Sequence, residues 1–443
     1  MGKKKKIIVK NVRLSKFVHG GQALGTVEKD VDSKPEQDNK KQYNNVKKLL
    51  LVWGGLPGEL VVVRITKKRK SYKEGIVIDV LEPSPQRIDP IELDSYLSTS
   101  PWQIVREDVE PVYKDEILKE TFEREGLSPS WQPFSDSDKY TGYRSKMEFG
   151  FWGNDDGLHL AHYVRGSHGK QMVESSVLAT DSVNSAAQSI RDELNRLSVW
   201  GSDLKSLVVR SSQSNEVVAA LYIKNKIDLD DLKLPEGLKG MAVYYSDPKS
   251  PASVTTEDLM VIGDISLSDE LMGTPINYDV NSFFQVNLPV FESVLRKIDE
   301  LTKGEQKIDM YSGVGAIGAP LDGTAVLVES DDNNIVMAEK NVGDKEIIVV
   351  HASSENAVEH IHNDKVLIVD PPRAGLHKNV IEAIIQAKPP KIVYLSCNPS
   401  TQARDVGLLR EEYEVGYAQG FNFFPRTPHI ESLIIMERKD EAA

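Results

Sequence analysis

The chain has one cysteine in 443 residues. It stands in Ser396-Cys397-Asn398-Pro399-Ser400, directly after the apolar run Ile392-Val393-Tyr394-Leu395. Asn is a good N-cap and Pro suits the first helical position, so the segment reads as a strand passing into a helix with Cys397 at the helix N-terminus. There the dipole and free N–H groups favour a thiolate and can bring its pKa below the free value of about 8.5. A lone cysteine is more often buried and inert, but this setting makes Cys397 a candidate nucleophile. A second group able to move a proton is Glu431, in Thr427-Pro428-His429-Ile430-Glu431 ahead of the last apolar strand. Alternation puts His429 and Glu431 on one face, and Glu431 is the candidate general base. The plain alternative is an exposed carboxylate at a strand start. His351, His360 and His362 show no ligand spacing, and no metal site is expected. A single cysteine also excludes an intramolecular disulfide, a cysteine-only zinc site and a cysteine-held iron–sulfur cluster.

Ligands of open parallel sheets bind beyond the carboxyl ends of the strands, so the residues closing each strand come next. One strand ends Asp309-Met310-Tyr311-Ser312-Gly313-Val314-Gly315-Ala316-Ile317-Gly318. Gly313 and Gly315 permit a tight turn and close approach of a ligand, although this spacing alone would equally suit a nicotinamide dinucleotide. The following strand ends in Glu329, placed where a carboxylate can accept from both ribose hydroxyls of either cofactor. A third, Val366-Leu367-Ile368-Val369, ends in Asp370-Pro371-Pro372-Arg373. Two prolines fix an extended loop, and that loop would set Asp370 at the mouth of the site.

Positioning these residues requires a particular set of elements. From about residue 276 onward, strands are predicted at Lys307-Tyr311, Ala325-Glu329, Glu346-His351, Lys365-Asp370, Lys391-Ser396, Tyr413-Asn422 and Ser432-Arg438. Amphipathic helical stretches separate the first five, which implies a parallel sheet covered by helices; the last two strands, with no helix between them, imply an antiparallel pair at one side. Residues 91–275 mix helical patterns (Val112-Glu125, Asp181-Leu197) with strands (Lys146-Trp152, Leu207-Ser212, Val217-Ile223, Gly240-Tyr245). Residues 1–85 read as short strands and turns, at Ile7-Val12, Gly25-Val27, Leu49-Trp53, Glu59-Thr66 and Gly75-Val80, with a polar loop at Asp30-Asn45. That pattern suits a small barrel of the OB type. The Pro-rich stretch Glu82-Pro90 reads as a linker.

Net charge is −13, yet residues 1–90 carry 20 Lys and Arg against 10 Asp and Glu. A basic module, with Lys3-Lys6 and Lys67-Lys70, on an acidic body suggests a polyanion partner. No stretch approaches the roughly 18 uninterrupted apolar residues of a membrane span, and Met1-Gly2 leads into lysines rather than a signal peptide. A cytoplasmic monomer with no membrane attachment is the expectation.

Asp370-Pro371-Pro372-Arg373, Ser396-Cys397-Asn398-Pro399 and His429-Ile430-Glu431 together resemble the RNA uracil-5 methyltransferases. Tyr143-Arg144-Ser145-Lys146-Met147-Glu148-Phe149 and Phe283-Phe284-Gln285-Val286-Asn287 extend the resemblance through most of the chain. Gly20-Gly21-Gln22-Ala23-Leu24-Gly25 and Pro57-Gly58-Glu59 resemble a TRAM domain, an RNA-binding barrel. The resemblance implies a TRAM barrel at 1–85 and a mixed α/β RNA-binding domain at 91–275. It further implies a Rossmann-like seven-stranded methyltransferase domain at 276–443. By it Cys397 is the nucleophile and Glu431 removes the C5 proton. Gln285, Tyr311, Glu329 and Asp370, over the turn shaped by Gly313 and Gly315, line a site for S-adenosylmethionine. The substrate would be a uridine in transfer or ribosomal RNA. Many relatives hold an iron–sulfur cluster, and here the corresponding Ser95-Tyr96-Leu97-Ser98-Thr99-Ser100-Pro101-Trp102-Gln103 has no cysteine, so none is expected.

The chemistry asks for the same groups. Uracil C5 is too weak a nucleophile until a thiolate adds to C6, and the adduct then needs a base at C5 before the cysteine can leave. A cytosine-5 RNA methyltransferase would use two cysteines. A nicotinamide oxidoreductase leaves Cys397 unexplained, and a non-catalytic RNA-binding protein would need only the basic module.

Overall fold

The computed structural model describes residues 7–26, 49–167 and 169–440. The lysine run Lys3-Lys6 and the polar stretch Asp30-Asn45 lie outside the described residues. The chain forms two compact units. One comprises Met1–Ile117, Tyr163–Gly169 and Arg426–His429; the other comprises Leu118–His162, Lys170–Pro425 and Ile430–Ala443.

In the first unit, strands Ile8–Phe17, Ala23–Thr26, Leu49–Trp53, Leu60–Lys68 and Tyr72–Glu82 close into a barrel. Alternate residues Val12, Leu14, Leu50, Val52, Val61 and Val63 fill its interior, as period-two patterning requires. Glu59 of the Pro-Gly-Glu turn is fully buried. Its carboxylate accepts from Leu56 N (2.8 Å), Ser84 N (3.1 Å) and both Nε (2.6 Å) and Nη2 (2.8 Å) of Arg87. Arg87 Nη2 also donates to Gly54 O at 2.9 Å. The Pro-rich stretch read as a linker is therefore fastened to the barrel, because a buried carboxylate demands a cation that only this stretch supplies.

The second unit holds two seven-stranded sheets. The sheet nearer the N-terminus runs in the order Glu257–Gly263, Gly240–Tyr245, Val217–Ile223, Leu204–Ser211, Lys146–Asn154, Gly157–Tyr163, Lys170–Met172. Helix Asp181–Arg196 covers one face through Val183, Ala187, Ile190 and Leu194. The second sheet comprises β1 (Lys307–Met310), β2 (Thr324–Glu329), β3 (Ile348–His351), β4 (Val366–Val369), β5 (Lys391–Ser396), β6 (Tyr413–Phe421) and β7 (Glu431–Arg438). Their order is β3-β2-β1-β4-β5-β7-β6, with the first five parallel and β7 antiparallel to both neighbours. This is the Rossmann-like arrangement expected, with the antiparallel pair at one side. One apolar core joins the two sheets, running from Val208, Val218 and Ala220 through Phe291 and Val294 to Ile368 and Val393.

Sequence patterning missed Gly157–Tyr163, Glu257–Gly263 and the hairpin Ser266–Leu271/Thr274–Asp279. Asp269 and Glu270 interrupt Ser266–Leu271, Pro275 stands in Thr274–Asp279, and Glu257–Gly263 is an edge strand whose side chains are mostly exposed despite the apolar run Leu259-Met260-Val261-Ile262.

Candidate active site

The carboxyl ends of β1 and β2 build one side of the site. After Met310 the backbone turns through left-handed conformations at Tyr311 (φ 63°), Gly313 (φ 57°) and Gly315 (φ 80°). Glycine removes the steric cost at two of these three positions. A Cβ on Gly315 would also lie 3.0 Å from Leu327 Cδ1, whereas one on Gly313 would meet nothing nearer than Phe283 O at 3.9 Å. Glu329 closes β2 and folds back on this turn. Its Oε2 accepts from Gly313 N at 2.8 Å, and its Oε1 accepts from Ser330 N and Asp331 N, each at 2.8 Å. The glycine turn and the β2 carboxylate are thus one hydrogen-bonded unit, bordered by the Phe283 carbonyl. Gln285, two residues beyond Phe283, is buried. Beneath the turn, buried Asp309 accepts from Gly318 N at 2.9 Å. Burial raises its pKa well above the ordinary carboxylate range, with Asp370 and Glu329 adding to the effect.

The other side comes from β4, β5 and β7. The β5–β7 register pairs Leu395 with Leu433 and Ser396 with Ser432. Cys397 follows the last residue of β5 and Glu431 is the first of β7, so candidate nucleophile and base stand at the same end of this pair, and the Glu431 charge acts on the thiol. Gln402, fully buried, fixes that register. Its Nε2 donates to Tyr394 O (2.9 Å) on β5 and Ser432 O (3.1 Å) on β7, and its Oε1 accepts from Ser432 Oγ. Gln402 lies on helix Pro399–Leu409, whose start is capped as expected: Asn398 accepts from Ser400 N at 3.3 Å and Pro399 opens the first turn.

The same helix seats the Asp370–Arg373 loop. Asn398 Nδ2 (2.7 Å) and Thr401 Oγ1 (3.2 Å) donate to Arg373 O. Buried Asp405 accepts from Leu376 N and Tyr394 Oη, both at 2.8 Å. The Arg373 side chain is thereby brought near the Cys397 thiol, whose ionised form it favours.

The thiol's electrostatics reverse one expectation. Burial, then the charges of Glu431 and Asp370, push Cys397 up to about 11 against the partial relief from Arg373. A helix N-terminus carries only about half a unit charge, and two carboxylates with desolvation outweigh it. Asp370 is raised by burial to about 7. Glu431 is raised well above its ordinary value by burial and by Asp370, with Arg373 opposing. Two buried carboxylates within each other's field hold a proton near neutral pH, and Arg373 is the cation that offsets them. Arg373, Gln402 and Asp405 were given no role in the sequence reading. Arg373 had a signal, being the charged residue ending a rigid Pro-Pro loop; Gln402 and Asp405 had none, since a helix interior gives no hint of what its polar side chains tie. His429 groups with the first unit, its N–H donating to Thr427 Oγ1 at 3.4 Å.

A sequence model of the family described as tRNA (uracil-5-)-methyltransferase matches residues 357–439, a span that contains Asp370, Arg373, Cys397 and Glu431. Over that span the chain is similar to the uracil-5 methyltransferases, and the relatives it matches over most of its length are RNA methyltransferases. An uncharacterised RNA methyltransferase of Nitratidesulfovibrio vulgaris is 26% identical over 438 residues, covering 89% of this chain and 92% of that one. Another from Bacteroides thetaiotaomicron is 26% identical over 86% of this chain and 95% of its own length. Among solved structures, the Pyrococcus abyssi tRNA (uracil-54, C5)-methyltransferase in complex with S-adenosyl-L-homocysteine aligns with a TM-score of 0.72. Its identity is 22%, over 97% of this chain and all of that one, so the two share a fold.

Proposed function

We propose that the protein methylates C5 of a uridine in transfer RNA, with S-adenosylmethionine as donor and a covalent Cys397–C6 adduct as intermediate. The observation that carries this reading is the juxtaposition of Cys397 with Glu431 at one end of β5 and β7, with Arg373 near the thiol. The description of the matching family favours transfer RNA, with ribosomal RNA the other outcome of the test. The cofactor fits the first half of the site: an open Gly313 α-carbon beside a carboxylate that reaches the turn's N–H makes a cradle with an acceptor at its rim. Gln285, Tyr311, Glu329 and Asp370 would hold it, and it would supply an electrophilic methyl on a sulfonium.

The chain's own residues account for the remaining steps. Arg373 stabilises the Cys397 thiolate, which adds to C6 and leaves C5 as the electron-rich end of an enolate. C5 takes the methyl. Glu431 removes the remaining C5 proton; the electrons of that bond form the C5–C6 double bond as the C6–S bond breaks and the thiolate departs. The uracil must leave the base stack to be reached, which gives the barrel at 1–85 and the domain at 91–275 the task of holding RNA while 276–443 does the chemistry. Incubation with 5-fluorouridine-substituted tRNA and S-adenosylmethionine should trap an adduct stable to denaturation, because fluorine at C5 cannot be removed as a proton. Cys397→Ala should abolish it, and Glu431→Gln should accumulate adduct with ordinary tRNA. A folded, RNA-binding protein that forms no adduct defeats the reading.

A further inference from the structure

Three cations, Arg144, Lys146 and Arg210, lie within one another's field, and Glu148 and Asp279 are the carboxylates that act on Lys146. Lys146 and Arg210 are register partners on adjacent antiparallel strands, Lys146–Asn154 and Leu204–Ser211, so their side chains leave the same face side by side. Like charges directly opposed are unfavourable, and here one of them is wholly buried. The Arg210 guanidinium donates to the carbonyls of Asp279 (3.2 Å), Ser282 (2.9 Å) and Phe284 (3.2 Å), and lies 5.0 Å from the Tyr278 ring. Arg144 stands two residues before Lys146, 5.8 Å from the Phe424 ring, and its Nε is buried with no hydrogen-bond partner among the described residues.

The charged groups facing Lys146 are Arg210, Glu148, Asp279 and Arg144. Both carboxylates favour the ammonium, and each is engaged elsewhere through one of its oxygens. Glu148 accepts from Ser253 Oγ at 2.8 Å, and Asp279 accepts from Asn281 N (2.8 Å), Ser282 N (2.7 Å) and Ser282 Oγ (3.0 Å). Burial and Arg210 together hold the Lys146 ammonium down at about 7. An ammonium set against two guanidiniums is costly, and an anion relieves it by accepting from Lys146 and from the unpartnered Arg144 Nε, while Arg210, already bonded to three carbonyls, contributes its charge.

We infer that Lys146 and Arg144, backed by the buried charge of Arg210, form a binding site for a phosphate group, occupied in the working enzyme by a phosphodiester of the RNA next to the target uridine. This rests on the proposed function for its RNA. What ties it to the chemistry is the segment Arg210 grips: residues 279–284 lead directly to exposed Phe283 and buried Gln285, and Ser145 N donates to Val286 O at 3.1 Å. A phosphate seated here fixes the backbone at the approach to the cofactor turn, where the Phe283 carbonyl already lies.

The site has a pH signature. An anion favours protonated Lys146, so binding raises its pKa, and above about pH 7 RNA affinity should fall by up to tenfold per pH unit. Lys146→Arg, charged throughout, should remove that component. The direct test labels the protein's lysines with 13C-formaldehyde and follows the Lys146 dimethylamine by NMR, using a uridine-containing tRNA stem-loop or inorganic phosphate as probe. The midpoint should rise by at least one pH unit with the stem-loop at micromolar concentration. A rise with millimolar phosphate but not with saturating stem-loop shows a free-phosphate site and overturns the RNA assignment; no rise with either overturns the site. Lys146→Met should lower the salt slope of stem-loop binding by about one and raise the 5-fluorouridine stem-loop concentration needed for half-maximal adduct formation. Adduct formation without the Lys146 shift sinks this site and leaves the uridine reading standing. The shift without adduct leaves the phosphate site standing and sinks the reading of Cys397.

Discussion

An arginine set against a thiol decides what that thiol can do. Cys397 sits among two carboxylates that oppose its ionisation, and Arg373 is the group that favours it. A hydrogen bond to a charged group contributes about 1.5–3 kcal/mol, so Arg373→Ala should slow adduct formation roughly 10- to 100-fold, with Arg373→Lys in between because it keeps charge but not the fork. Quenched-flow trapping with 5-fluorouridine RNA measures this, and an unchanged Arg373→Ala rate would remove the arginine from the mechanism. Ionisation sets the pH response. The Cys397 thiolate and ionised Glu431 both become more abundant as pH climbs, so single-turnover methylation should rise from pH 6 to 8. The effect of the carboxylates on stability runs the other way. A carboxyl whose folded pKa lies above its unfolded value of about 4 favours the fold at low pH and loses that contribution as pH climbs through the folded pKa. Urea midpoints should therefore decline between about pH 4 and 7, and Asp370→Asn should flatten the decline; a midpoint that rises over this window contradicts the burial argument.

At the scale of elements, strand ends and helix starts carried most of the site into view from sequence. Cys397, Asp370, Glu329 and the glycine turn were legible because each closes an apolar run, and Asn398-Pro399 announced a helix start that the structure contains. What the sequence could not display was register. The nearness of Cys397 to Glu431 follows from β5 and β7 lying side by side, and Gln402, which holds them, is an unremarkable polar residue in a helix. The direction of the Cys397 pKa was misjudged for the same reason, since the opposing carboxylates are distant in sequence. Gln402→Ala leaves buried carbonyls and the Ser432 hydroxyl unsatisfied, at about 1–3 kcal/mol, and should lower kcat more than it raises KM for RNA. Gly315→Ala, at φ 80° and 3.0 Å from Leu327, should cost about 1–3 kcal/mol and weaken S-adenosylhomocysteine binding in calorimetry; unaltered binding would separate the turn from the cofactor.

For the molecule as a whole, the two units call for separate readouts. The barrel depends on Glu59 meeting Arg87, and Arg87→Ala leaves a buried carboxylate unpaired, a loss of about 3–5 kcal/mol. Two calorimetric transitions, with only one shifted, would place that loss in the barrel unit. The lone cysteine has a consequence for the entire chain as well. Held up at about 11, the resting thiol is almost wholly protonated at neutral pH, and the thiolate is the form that oxidants and alkylating agents attack. With no second thiol to close a disulfide on, the protein between turnovers is chemically quiet. On the proposed mechanism the thiolate forms mainly when uracil is in place to consume it, so brief peroxide treatment of the RNA-free protein should leave adduct formation unchanged.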